Sequence, residues 1–424
     1  MPKFGLTMAW WSMCSAIFLL IVGATLALNY GARNAIIGML LSAISFAVIN
    51  GIFSRYAIRT GYSVALLSRA VFGRAGASVV ILIFAATNIY FAVFESSVVA
   101  LALKRMLPAL SYAVAAMIVV IYSVSLMFGS VQNWLDKLNG VLLPLYLIGL
   151  AGAVIMAINV YGYDTAWIDF GPEKGPPEYG WWNCYMYYMG ICAYMMATVD
   201  FARFGRERDT KYHSLFTFGL PFWLLTFMLN GIVGIFLVST IPTGEALSEV
   251  SVVFALLALM GIWGFLFVLV TQTRINTASY FLAILNTHAF FVQALRWSFP
   301  RAFWVVVVGV IVYVLMLADV FSYLLQALAY QGVFLVAWVG VVLSFILSPL
   351  GRIKGDAENI DAVPALAIGA VLAWLTGTVC GVLLMHSSYS YLSVPAVFVL
   401  SVVGHRLSLI VSSRTVTVVS SAGC

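Results

Sequence analysis

Charge is scarce in this chain. Only 8% of its 424 residues are Asp, Glu, Lys or Arg, against about 25% in ordinary soluble proteins. With 63% apolar residues, the composition excludes a soluble globular domain. Histidine and cysteine are also few. The four histidines and five cysteines (Cys14, Cys184, Cys192, Cys380, Cys424) show neither paired nor metal-ligand spacing. A disulfide framework and a metal centre are therefore not expected, and the cysteines read as small core residues. No P-loop is present, so ATP is not the expected energy source. The N-terminus lacks a small-residue cleavage site, and its first apolar segment runs past signal-peptide length. The net charge of +6 is scattered over short connections, which argues against a nucleic-acid partner.

What the chain has instead is length in apolar runs. A membrane-crossing helix needs about 20 apolar residues, and about twelve such runs fit. They lie at 7–28, 35–54, 76–103, 110–129, 139–160, 181–201, 215–238, 252–285, 302–318, 322–348, 362–385 and 391–412. Lys and Arg set the orientation, because basic residues stay on the cytoplasmic side. With the N-terminus inside, sixteen fall inside and four outside (Arg33, Lys104, Arg105, Lys174), with Arg274 in the membrane. The reading is a multi-pass protein of the cytoplasmic membrane, with both termini cytoplasmic and the lipid bilayer as its surroundings.

The longest outer connection, Tyr161 to Gly180, is rich in Gly and Pro and divides five spans from the next five. That suits two five-helix repeats of opposite topology, over 1–160 and 161–350, with two helices and a tail at 351–424.

The most informative stretch is Phe267 to Tyr280, FVLVTQTRINTASY, inside the eighth apolar run. Arg274 alone costs about 2.5–3.5 kcal/mol on insertion scales. Intramembrane polar clusters mark ligand or ion sites, although Thr, Asn and Ser also join helices to one another. Three other features stand out. Ser12, Cys14 and Ser15 form a small polar patch in the first helix, where transporters of inverted-repeat plan interrupt the helix and free carbonyls for ions. Glu95 is the one carboxylate well inside a span, with Tyr90 and Phe94 four apart beside it on a shared helix face. Gly190, amid aromatics and methionines, is the candidate for a second interruption, and Asp200 and Arg203 at the cytoplasmic end suit an inner gate.

Three segments carry a resemblance. GYSVALLSRAVFGRAGA (61–77), which includes Arg69, looks like the segment after the second helix of the nucleobase–cation symporter-1 family. DFARF (200–204) looks like that family's motif after the sixth helix. TQTRINTASY (271–280) resembles the eighth-helix signature of its purine–cytosine permease branch, which includes cytosine, allantoin and hydantoin permeases. The order and rough placement of all three match, and the resemblance spans nearly the whole chain.

The resemblance implies an all-α, leucine-transporter-like fold of 5+5 inverted repeats plus two C-terminal helices. It implies import of a nucleobase or related small heterocycle by alternating access, coupled to sodium or protons, with no enzymatic activity and no other cofactor. The implied substrate contacts are Tyr90, Phe94 or its neighbour Glu95, Gly190, Gln272, Asn276 and Ser279. The implied sodium site uses carbonyls of the first helix near Ser12 and Ser15, with Val270, Thr273 and Arg274 of the eighth. An arginine there places a fixed cation where sodium should sit, with Glu95 as its counter-ion or as a proton site. A carrier of the same fold for another solute, such as a vitamin precursor, is the alternative. A channel would need a continuous polar stripe, and an enzyme would need clustered catalytic groups; neither pattern is present.

Overall fold

In the computed structural model the backbone is described for residues 1–128, 131–242, 247–318, 321–349 and 364–421, and side chains for those outside 131–142 and 412–421. Lys137, Arg352, Lys354, Arg414 and Cys424, which entered the reading above, lie outside the described residues or side chains. Among the described residues all regular secondary structure is helical. The first span is two pieces, α1 (Lys3–Trp11) and α2 (Ile17–Tyr30), joined by a 3-10 turn at Ser12–Ser15 and bent by 46°. Then follow α3 (Ala32–Thr60), α4 (Val64–Met106), α5 (Tyr112–Phe128) and α6 (Val131–Tyr161). The sixth span is also split, into α7 (Gly180–Met189) and α8 (Ala193–Ala202). The next span, α9 (Glu207–Thr240), is helical in pieces and interrupted at Phe218–Gly219, where Gly219 is extended (φ −92, ψ −163). The remainder is α10 (Ser251–Met260), α11 (Ile262–Leu295), α12 (Arg301–Met316), α13 (Leu324–Ile346), α14 (Ile368–Met385) and α15 (Ser393–Ser421).

The polarity of the bundle follows from its solvent. Apolar side chains spaced three or four apart point outward, as in Ile37, Leu40, Ile44 and Val48 of α3 and Leu372, Leu375, Val379 and Leu383 of α14. The buried positions include Glu95, Gln272, Arg274, Asn276 and Asn230. Such a distribution suits lipid, where outward apolar groups cost nothing and inward polar groups find partners. Helices approach closely where glycines remove the Cβ. One built on Gly23 would lie 2.4 Å from Gly231 Cα, so α2 and α9 cross nearly backbone to backbone, as small residues permit in membranes.

Two glycines alter the helix bounds expected from hydropathy. The apolar run 252–285 is not one helix: Gly261 at φ 55 ends α10 and starts α11. The basic segment 61–77, between the second and third apolar runs, is mostly helical. Ser63 caps it by accepting from Leu66 N, and it is helical from Val64. Gly73 (φ 79, ψ 177) then kinks it before the membrane-spanning part of α4. At that kink Ala75 N donates to Ala365 O (2.8 Å) and Ala367 N to Phe72 O (3.0 Å), fastening the start of α14 to α4.

Candidate functional site

The site is built where the two split helices meet α4 and α11. In the first split, the 3-10 turn and the extended Ala16 (φ −74, ψ 121) leave carbonyls without helical partners, and side chains supply them. The Arg274 guanidinium donates to Ser12 O and Ser12 Oγ and to Ser15 Oγ at 2.9 Å. Tyr194 OH donates to Met13 O at 3.2 Å, and Asn230 Nδ2 donates to Cys14 O at 2.9 Å. Past the break, Ile17 N donates to Gln272 Oε1 at 3.4 Å. Asn230 is itself oriented by Tyr146 OH, which donates to its Oδ1 at 2.5 Å. All but the half-buried Met13 are buried, and a buried carbonyl or amide left without its partner would cost about 1–3 kcal/mol.

Beside this turn is a cavity. Phe84, Asn88, Phe91 and Glu95 line one wall from α4, and their spacing of four, three and four places them on one helix face. Ile275, Ala278, Ser279 and Leu282 of α11 form the opposite wall, Tyr194 and its neighbours on α8 the third, and Met13, Ala16 and Phe18 the end. The Phe91 ring meets Phe18 edge-on, with centroids 5.4 Å apart and planes at 83°. Glu95 is 3% exposed and lies against Ser279, and its Oε2 has no protein partner. The walls thus offer apolar ring faces with a few convergent polar atoms, the usual make-up of a small-molecule site.

The sequence-derived residues distribute unevenly over this geometry. Glu95 and Ser279 line the cavity. Ser12, Ser15, Gln272 and Arg274 meet at the first break. Tyr90 and Phe94 do not line the cavity: one residue off the Phe91–Glu95 face, Phe94 packs on Phe18 and Phe321, and Tyr90 is half-buried behind it. Asn276 is in a helix seam, donating to Ser96 Oγ and Ser123 Oγ at 3.0 Å each. Thr273 turns to the same side, 3.1 Å from Tyr122 OH. Val270 has a 45% exposed side chain and borders a second opening, shared with Arg274, Ser15 and Tyr146. Glu95 sits against Ser279 rather than on Arg274.

Gly190 serves packing: a Cβ there would fall 2.1 Å from Leu328 O, so the second break is where α13 crosses α7 and α8. At the C-terminal end of α8, Asp200 Oδ1 accepts from Val64 N at 3.0 Å, capping α4. Arg203 donates to the Asp200 carbonyl at 3.2 Å and covers the Phe204 ring. Arg69 stays half-buried on the amphipathic turns of α4.

Four residues of the site escaped the sequence reading: Asn88, Phe91, Tyr194 and Asn230. A signal existed for three. Once Glu95 is singled out, its helical neighbours at minus four and minus seven are Phe91 and Asn88. Asn230, an amide in an otherwise apolar span, is the kind of intramembrane polar residue that merits attention. Nothing local distinguishes Tyr194 among the aromatics of its span.

No protein-family model and no curated protein matches the sequence. Solved structures do match the fold. Mhp1, a nucleobase–cation-symport-1 family transporter in a closed conformation with bromovinylhydantoin bound, aligns at TM-score 0.75 and 16% identity, covering 97% of this chain and 92% of that one. The inward-facing conformation of Mhp1 aligns at TM-score 0.78 and 14% identity, covering 97% and 90%. A substrate-bound, outward-open Na+-coupled sialic acid symporter aligns at 0.53 and 12% identity, covering 95% and 89%. The chain therefore has the leucine-transporter-like fold expected for it.

Proposed function

We propose that this chain is a secondary transporter of the nucleobase–cation symporter-1 type. It imports a nucleobase or related flat heterocycle across the cytoplasmic membrane by alternating access, coupled to a cation gradient of sodium or protons. The observation that carries the reading is the cavity between the split helices, with Phe91 and Tyr194 as ring faces and Glu95, Ser279 and Asn88 as polar groups. A planar ring with N–H donors and C=O acceptors matches both. The bromovinylhydantoin held by Mhp1 is a molecule of this class. The match of fold over 97% of the chain supports the two repeats at 1–160 and 161–350, with 351–424 as an appendage, and the charge bias supports cytoplasmic termini.

The test is a thermal-shift panel on the purified protein with uracil, cytosine, adenine, hypoxanthine, allantoin, hydantoin and a pyrimidine vitamin precursor. A ligand that binds only the folded state raises stability, by about 2.7 kcal/mol at a hundredfold excess over Kd. At least one heterocycle is expected to raise the melting temperature in a saturable way. If none does, the proposed substrate class is wrong.

A further inference from the structure

A coupling sodium is what the Na+-coupled relative of this fold leads one to look for at the first-helix break, and the residues here do not fit one. Sodium needs carbonyl and hydroxyl oxygens with free lone pairs converging on an open centre. In this chain five oxygens of the break already accept from protein donors. Ser12 O and Ser12 Oγ accept from the Arg274 guanidinium, as does Ser15 Oγ at 2.9 Å. Met13 O accepts from Tyr194 at 3.2 Å and Cys14 O from Asn230 at 2.9 Å. The α11 hydroxyl that would complete a cation cage, Thr273 Oγ1, is engaged elsewhere, donating to Leu269 O and meeting Tyr122 OH at 3.1 Å. A second cation beside the guanidinium would meet like charge in a poorly screened interior.

Taking the transporter reading as its premise, we infer that the break holds no sodium. The Arg274 guanidinium is a built-in cation that closes the turn in place of an exchangeable ion, and heterocycle binding is indifferent to sodium. The design has a physical consequence. An exchangeable ion couples its own gradient to the closing of the break, whereas a tethered one stabilises the turn without contributing a gradient. The driving ion must then act at another place.

The experiment uses the full-length detergent-purified protein and two readouts. Saturable binding of radioactive sodium is measured without heterocycle, and heterocycle Kd is measured in sodium and in choline chloride at equal ionic strength. Absence of saturable sodium binding, with Kd values agreeing within about twofold, is expected. Arg274→Lys keeps a cation in the break and is expected to remain indifferent to sodium. Stoichiometric sodium binding by the wild-type protein, or a Kd about tenfold lower in sodium, overturns the inference. The sodium readout needs no ligand, so it stands even if no heterocycle binds, an outcome that refutes the substrate reading alone.

Discussion

Replacing Phe91 by leucine tests which face of α4 meets the ligand. Leucine keeps most of the volume and apolar character of the wall but removes the aromatic face. The Phe91 side chain is 9% exposed and touches Phe18 edge-on, so the wall is retained while a ligand loses its stacking partner. An aromatic pair is worth about 0.5–1.5 kcal/mol beyond the area it buries. At 1.4 kcal/mol per tenfold, Kd should rise by about 2- to 12-fold. Fluorescence titration or calorimetry on the purified variant measures this directly. The control is Tyr90→Leu, one residue along the helix and outside the cavity wall, which should leave Kd within about twofold. If Tyr90→Leu weakens binding and Phe91→Leu does not, the ligand meets the other face of α4 and the assignment of the cavity as substrate site is refuted.

Two further substitutions probe the scaffold. Asn230→Ala strips Cys14 O of its donor and Tyr146 OH of its acceptor; at membrane values near 0.6–1.7 kcal/mol per hydrogen bond, the loss is about 1–3 kcal/mol, read as a lowered melting temperature. Gly73→Ala forces a side chain into φ 79, ψ 177, a region essentially reserved for glycine and costing about 1–3 kcal/mol. Its Cβ would also lie 2.7 Å from Pro364 O, so lower yield and thermal stability are expected, with Kd unchanged in the surviving folded fraction.

Some of this architecture was legible because it depends on local chemistry. The split of the sixth span at Gly190 and the small-residue patch at Ser12–Ser15 could be singled out from residue type, and the apolar runs located most of the helices. Other parts depend on partners far along the chain. The first break contains neither Gly nor Pro. It persists because Arg274, Tyr194 and Asn230, each more than 180 residues away, satisfy its carbonyls, and no window around residue 14 contains that information. The division at Gly261 was hidden for the opposite reason: a glycine within an apolar run is tolerated in a helix, and only its positive φ reveals a turn. The choice of Phe91 over Tyr90 was within reach, since Glu95 fixes the phase of the α4 face that carries it.

The polar stretch of α11 reads in sequence as one cluster and in space as three separate attachments. At about 100° per residue, consecutive positions cannot share a face. Gln272 and Arg274 bind the broken first helix. Thr273 and Asn276 bind α4 and α5 through Tyr122, Ser96 and Ser123. Ile275, Ala278, Ser279 and Leu282 wall the cavity. These attachments differ in what motion they permit. Rocking the first helix against α11 must exchange the Arg274 and Gln272 bonds, and hydrogen bonds to a charged group contribute about 1.5–3 kcal/mol each. The seam through Asn276 links α11 to α4 and α5 and need not change. If the chain works by the alternating access proposed for it, the joint lies on the Arg274 side of α11 and the fixed frame on the Asn276 side. The cavity lies between the two, so movement of the first helix alters one wall while α4 and α11 keep the other two in register.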